Sequence, residues 1–242
     1  MRTSGLILIC IVLLAFIPAL AGETDFASKR AAMVEEVRYM LKRESLPGNP
    51  SYDEGVLQAM GEVRRHEFIP QKLRDEAYEN HPLPIGHGQT ISQPYIVALM
   101  TDLVEPEAAD KVLEVGTGSG YQAAMLAKLV QQVYSIEIIE PLARQASERL
   151  QELGYDNIET RLGDGYYGWE EHAPFDAIVV TAAASIVPPP LIEKLKPGGR
   201  LVIPVGGRFA VQYLLLIEKT LQEEILTRQI AAVRFVPLTG EH

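Results

Sequence analysis

The sequence has a single cysteine, Cys10, and it lies in the apolar stretch at the N-terminus. If that stretch is removed, the chain keeps no thiol, which excludes a disulfide framework and a cysteine nucleophile. Positive charge is also scarce: 22 Lys and Arg stand against 32 Asp and Glu, for a formal net charge of -10. Neutralising phosphates needs a basic face, so a nucleic-acid partner is not expected. His81, His87 and His172 are scattered, with no i, i+4 pairing and no cysteine near them, so no metal is expected. The apolar run Leu6 to Ile17 is shorter than the roughly 20 residues that span a bilayer comfortably.

That run has a different use. M-R-T-S-G-L-I-L-I-C-I-V-L-L-A-F-I-P-A-L-A-G places Arg2 before the apolar residues and A-L-A after them, the layout of a secretory signal peptide cut after Ala21. The expectation is a leader over residues 1–21, a mature chain exported to the periplasm or medium, and no stable membrane association after cleavage. An uncleaved anchor is the competing reading. Another is a start at Met33, which opens the helical pattern M-V-E-E-V-R-Y-M-L-K.

Behind the leader the chain divides by pattern. Residues 22–105 read as a helical N-terminal region: Ser28 to Glu44, a turn at Leu46 to Ser51, Asp53 to about Val63, short helical pieces over Arg65 to Tyr78, a Pro- and Gly-rich loop from Asn80 to Pro94, and a helix from Tyr95 to Val104. Residues 106–242 alternate. Strands are expected at Lys111 to Val115, Gln132 to Ile136, Asn157 to Leu162, Phe175 to Val180 and Arg200 to Val205, with helices at Tyr121 to Val130, Pro141 to Leu153 and Pro189 to Leu195. This alternation predicts an α/β fold with a doubly wound, mostly parallel, seven-stranded sheet. Gln212 to Lys219 and Leu226 to Val236 leave no room for a crossover helix and should close the sheet edge as an antiparallel hairpin.

In such a sheet the ligand lies beyond the carboxyl ends of the strands, and those ends carry compatible groups. The first runs into Gly116, Gly118 and Gly120 and then a helix N-terminus, a turn suited to a nucleotide-like ligand. The dinucleotide fingerprint G-x-G-x-x-G is absent, because the third glycine comes one residue early. The second strand ends at Glu137, placed to accept ribose hydroxyls. The third ends at Asp164 and Gly165, a carboxylate for an exocyclic amine and a glycine for close approach of a flat base. The fourth brings Thr181 to the mouth. Trp169 reads as core rather than as a stacking platform.

Taken together, E-V-G-T-G-S-G-Y-Q-A-A, S-I-E, G-D-G-Y-Y-G-W, P-F-D-A-I-V-V-T-A-A-A, L-K-P-G-G-R-L-V-I-P-V-G and above all G-H-G-Q-T-I-S-Q-P-Y-I-V-A-L-M resemble the protein-L-isoaspartate (D-aspartate) O-methyltransferase family, from about Met33 to F-V-P-L-T-G. The resemblance implies a class I, Rossmann-like methyltransferase fold and S-adenosyl-L-methionine as cofactor, leaving S-adenosyl-L-homocysteine, with no metal. It places cofactor contacts on Gly116, Gly118, Glu137, Asp164 and Gly165, and the active-site hydroxyl on Ser92. The implied substrates are damaged proteins and peptides bearing isoaspartyl or D-aspartyl residues, and a monomer is the expectation. The leader departs from the cytoplasmic members of the family.

The implied chemistry needs little from the protein. A sulfonium methyl is already activated, and an α-carboxyl with a pKa of about 3.5 is ionised at neutral pH, so no general base is required. Ser92 is expected to align the carboxylate, while Thr90, Thr181 and the F-V-P-L-T-G segment line the peptide groove. Other readings are a methyltransferase of a different substrate, a nicotinamide-dependent oxidoreductase and an exported binding protein without catalysis.

Overall fold

The structure is a computed structural model describing residues 7–43, 52–207 and 210–240, with side chains placed from Asp25 onward. The turn expected at Leu46 to Ser51 lies outside the described residues, as do the first six residues of the leader.

Helix α1 spans Ile7–Arg43, well upstream of the expected start at Ser28. Its described contacts with the rest of the protein begin at Phe26, whose ring stacks on His66 at 4.2 Å. Met33, Val34, Val37 and Leu41 follow at helical spacing and are buried. Helix α2 (Glu54–Glu62) starts where Asp53 accepts a hydrogen bond from the Gly55 amide at 2.7 Å, an ordinary N-cap. Two 3₁₀ turns, Arg65–Phe68 and Gln71–Glu76, take the place of the expected helical pieces.

The Pro- and Gly-rich loop contains a small antiparallel hairpin, β1 (Leu83–Gly86) and β2 (Gln89–Ile91), which periodicity did not reveal. His87 turns it with positive φ between Gly86 and Gly88, and three or four residues per strand are too few for an alternating pattern to register. Helix α3 (Pro94–Leu103) follows with Pro94 in its first turn, where a missing amide costs nothing. Its N-cap position is Gln93 and has no side-chain cap, so Ser92 stands outside the helix start.

The remaining elements alternate as expected: β3 (Lys111–Val115), α4 (Tyr121–Ala127), β4 (Gln132–Glu137), α5 (Glu140–Glu152), β5 (Ile158–Leu162), β6 (Phe175–Val180), α6 (Pro189–Glu193), β7 (Leu195–Val205), β8 (Gln212–Lys219) and β9 (Ile225–Val233). The seven strands lie in the order β5-β4-β3-β6-β7-β8-β9. Pairing is parallel from β5 to β7 and antiparallel from β7 to β9. Strand β7 begins at Leu195 rather than Arg200, because Leu195 pairs with Phe175 across a register shift. Strand β9 stops at Val233, and the chain beyond it turns back to bridge Ala183 through Pro237.

Each face of the sheet has its own core. Val112, Val133, Ala177, Val179 and Val202 pack under α1 to α4, so the N-terminal helices share a continuous core with the sheet. Leu113, Val115, Ile136, Ile178 and Val180 pack on the other face around Trp169 and Phe175. Trp169 is buried and meets Tyr134 edge to face, a packing residue as expected. The chain steps from β3 outward to β5, then returns to β6 on the far side of β3. That reversal opens a crevice at the carboxyl ends of β3 and β6, the place where sheets of this kind bind ligands.

Candidate active site

The crevice holds a cavity with about 770 Å³ of empty space, and its walls come from four strand ends and two distant segments. Gly116, Gly118, Glu137, Gly165, Thr181, Thr90 and Ser92 all line it. Asp164 is not in its wall: one carboxylate oxygen accepts the Tyr166 amide at 3.0 Å and caps the 3₁₀ turn Gly165–Tyr167 beside the cavity. The structure therefore gathers all the expected site residues but one, and sets that one at the margin.

The glycine turn is fixed from both sides. Gly116, Gly118 and Gly120 all have positive φ, a backbone region that other residues seldom adopt. A Cβ on Gly116 would come within 2.5 Å of the Thr181 hydroxyl. That hydroxyl donates to the Gly116 carbonyl at 2.6 Å, so the Thr181 side chain locks the turn and can offer a substrate only its lone pairs. Gly165 is required for a related reason. A Cβ there would collide with Val115 of β3, so the glycine answers to packing between strand ends before any demand of a flat base.

Glu137 is buried at the end of β4. Its Oε2 accepts the Gly118 amide at 2.7 Å and its Oε1 accepts the Ile139 amide at 2.9 Å. Two backbone donors fix the carboxylate in one orientation, and each oxygen keeps a lone pair for hydroxyls in the cavity.

Sequence reasoning missed a second carboxyl. Glu114, the penultimate residue of β3, lines the cavity and is fully buried. The Ser135 hydroxyl, directly across on β4, donates to its Oε2, and Ser135 is linked to Thr117 at 2.5 Å. Its Oε1 makes no hydrogen bond of ordinary geometry among the described residues, although the Ala123 amide lies near enough to moderate the rise in its pKa. Burial pushes its pKa up to about 8, with the nearby Glu137 charge adding to the effect, so it is largely protonated at neutral pH. The signal was in K-V-L-E-V: an acid inside a strand covered on both faces has no solvent to reach.

A second cavity adjoins the first, and Thr90, Ser92, Thr181 and Val236 belong to both. It is floored by Ile96 and Pro82 and walled by residues 232–236. The tail after β9 is held in place by hydrogen bonds. Ala183 donates to the Val236 carbonyl and Leu238 donates to Ala183, both at 2.8 Å. The buried Gln212 amide brackets Phe235, accepting its N–H at 2.6 Å and donating to its carbonyl at 3.2 Å. The F-V-P-L-T-G segment thus forms a wall across from the β1–β2 hairpin.

A buried carboxyl with one unpaired oxygen, an oriented carboxylate and a glycine turn in one cavity fit a cofactor with a cationic end and a ribose. Among the described residues no group of His, Cys, Asp and Glu could hold a metal ion. With the sheet order, these features define an S-adenosylmethionine-dependent methyltransferase of the Rossmann-like class. Comparison with known proteins carries the assignment further. Residues 40–242 match the family model for protein-L-isoaspartate(D-aspartate) O-methyltransferase. A protein-L-isoaspartate O-methyltransferase of Polaromonas is 63% identical over 86% of this chain and 100% of its own length. One from Syntrophobacter fumaroxidans is 56% identical over 100% of this chain and 99% of its own. Among solved structures, a protein-L-isoaspartate O-methyltransferase from Plasmodium falciparum in complex with S-adenosyl-L-homocysteine matches with TM-score 0.70 and 26% identity, over 86% of this chain and 97% of that one. The chain belongs to the protein-L-isoaspartate(D-aspartate) O-methyltransferase family and is an S-adenosylmethionine-dependent enzyme.

Proposed function

We propose that the two cavities divide the reaction, with cofactor in the first, the isoaspartyl segment in the second, and methyl transfer at their shared wall of Thr90, Ser92, Thr181 and Val236. The observation that carries this reading is the sharing itself: a neutral hydroxyl, Ser92, borders both the glycine turn's cavity and the groove. S-adenosylmethionine supplies a methyl already activated on sulfonium. The chain's task is orientation. Glu137 takes the ribose hydroxyls, and Glu114 pairs through its free oxygen with the cationic amine of the methionine end. Asp164 and Gly165 bound the base.

Ser92 donates a hydrogen bond to one oxygen of the substrate carboxylate and holds the other toward the methyl. A carboxylate in its place would repel the nucleophile, and a cation would stabilise the ground state more than a transition state in which oxygen loses charge. Alignment of this kind supplies on the order of 7 to 11 kcal/mol in favourable systems. The groove walls mix apolar residues with Thr90, Ser92, Gln93, Thr181 and Arg234 and carry no acidic side chain, which suits an anionic main-chain carboxylate displaced by one methylene. After release, loss of methanol to the neighbouring amide nitrogen gives a succinimide without help from the enzyme, and its hydrolysis returns part of the chain to normal aspartate.

Transfer of labelled methyl to an isoaspartyl peptide and its normal-aspartyl twin tests the reading. Base-labile label on the isoaspartyl peptide alone is the expected result; equal label on both would refute it. The competing substrate classes, RNA and small molecules, serve as further arms of the same assay.

Residues 1–21 act in this reading as an export leader, and the mature enzyme is an exported monomer that binds neither nucleic acid nor membrane. The uncharged run before A-L-A supports the leader. Sequencing the N-terminus of the native protein decides the point: Gly22 is expected, and Met1 or Met33 would overturn it.

A further inference from the structure

Arg65 opens the 3₁₀ turn Arg65–Phe68 and is wholly buried, yet no carboxylate among the described residues pairs with it. Burying an unpaired cation costs several kcal/mol even after relaxation, and an apolar side chain of similar volume would avoid that cost. The guanidinium has other partners. Its Nε donates to the Ala77 carbonyl and its Nη2 to the Ser92 carbonyl, both at 2.8 Å. Its central carbon Cζ lies over the ring of Tyr121, 4.9 Å from the ring centre, and Tyr121 is the first residue of α4 after the glycine turn. Tyr121 lines the cofactor cavity and Ser92 lines both cavities, while Arg65 lines neither.

We propose that Arg65 is a positioning residue for methyl transfer, holding the Ser92 carbonyl against the start of α4 so that the hydroxyl facing substrate and the turn facing cofactor are set by one rigid group. The inference rests on the alignment role given to Ser92 above. It explains why the position carries arginine. Two carbonyls on separate segments and one aromatic face must be met at once, which suits a planar fork and not the single ammonium of lysine. It also explains why the charge goes unpaired. An acid beside Arg65 would compete for the donors that hold Ser92 and would place negative charge behind the site that receives a carboxylate.

The test is a double-mutant cycle of Arg65→Lys and Ser92→Ala, with each preparation normalised to the sites that bind S-adenosyl-L-homocysteine. Arg65→Lys is expected to lower kcat for an isoaspartyl peptide about tenfold, with KM for the peptide and affinity for S-adenosyl-L-homocysteine each within about twofold. In the Ser92→Ala background the same substitution should change kcat less than twofold, because the hydroxyl it positions is gone. Equal losses in both backgrounds would overturn the proposal. So would a kcat that follows cofactor affinity, or an Arg65→Lys protein with no titratable sites, since either result assigns Arg65 to the fold alone. If instead Ser92→Ala is silent while Arg65→Lys is slow, the role of Ser92 fails and the methyltransferase assignment stands.

Discussion

The two cavities are built on different terms. On the cofactor side the polar groups are held in place: buried Glu137 is gripped by two amides, half-buried Thr181 locks Gly116, and buried Glu114 leans on Ser135 inside the sheet. On the substrate side Thr90 is exposed and Ser92 half-buried, and the walls are a short hairpin, the end of β9 and the tail beyond it. A cofactor that never varies is matched by groups held in place, whereas a substrate defined only by a misplaced methylene is met by three hydroxyls, Gln93, Arg234 and apolar residues. Loss of a group should accordingly abolish cofactor binding on one side and slow transfer on the other.

The largest effect expected is on the rigid side. Glu137→Gln replaces an acceptor for two amides by a group whose NH2 must face one of them. Hydrogen bonds to charged groups contribute roughly 1.5–3 kcal/mol each, so affinity for S-adenosyl-L-homocysteine should fall by about 100-fold in calorimetry; an unchanged affinity would show that the turn is not set by Glu137. Ser92→Ala comes next, with kcat/KM for an isoaspartyl peptide down about tenfold and cofactor affinity unaltered. A loss of cofactor affinity there would erase the distinction between the sides. Gln212→Ala should be milder. It frees the tail at Phe235, raising KM for the peptide a few-fold while leaving cofactor affinity alone.

The same division governs what the sequence reveals. Strands β3, β6 and β8 fall at the residues their apolar runs predict, and for β3 and β6 the cause is burial on both faces, which demands nearly continuous apolar sequence. Glu137 and the three glycines were legible because a nucleotide-like ligand constrains residue type and spacing together. The long-range contacts that hold the cavity walls were not. Gln212 and Phe235 meet through side-chain and backbone atoms 23 residues apart, and Arg65 reaches Ser92 across 27. No local pattern encodes either contact. Helix α1 exceeded its predicted length for the opposite reason: the apolar leader and the amphipathic segment after it are both helix-compatible, and no strong stop divides them beyond Pro18.

The last test concerns Glu114, and it asks whether the rigid side is complete before cofactor arrives. Its folded pKa of about 8 lies above its ordinary value of 4.5 because burial penalises the charged form. Between those two values the folded protein holds a proton that the unfolded chain has released, so this group makes stability fall as pH rises through the window, by at most about 1.4 kcal/mol per pH unit. Below the window and above it the group contributes no slope. Thermal unfolding from pH 5 to 8 should therefore lose part of its pH dependence in Glu114→Gln, which keeps the shape and cannot ionise. Saturating S-adenosyl-L-homocysteine should flatten the wild-type profile as well, because a cationic amine beside the free oxygen favours the carboxylate and draws its pKa back down. A wild-type profile that keeps its full slope with ligand bound would mean that Glu114 never meets the cation, and that its unpaired oxygen belongs to the strand rather than to the site.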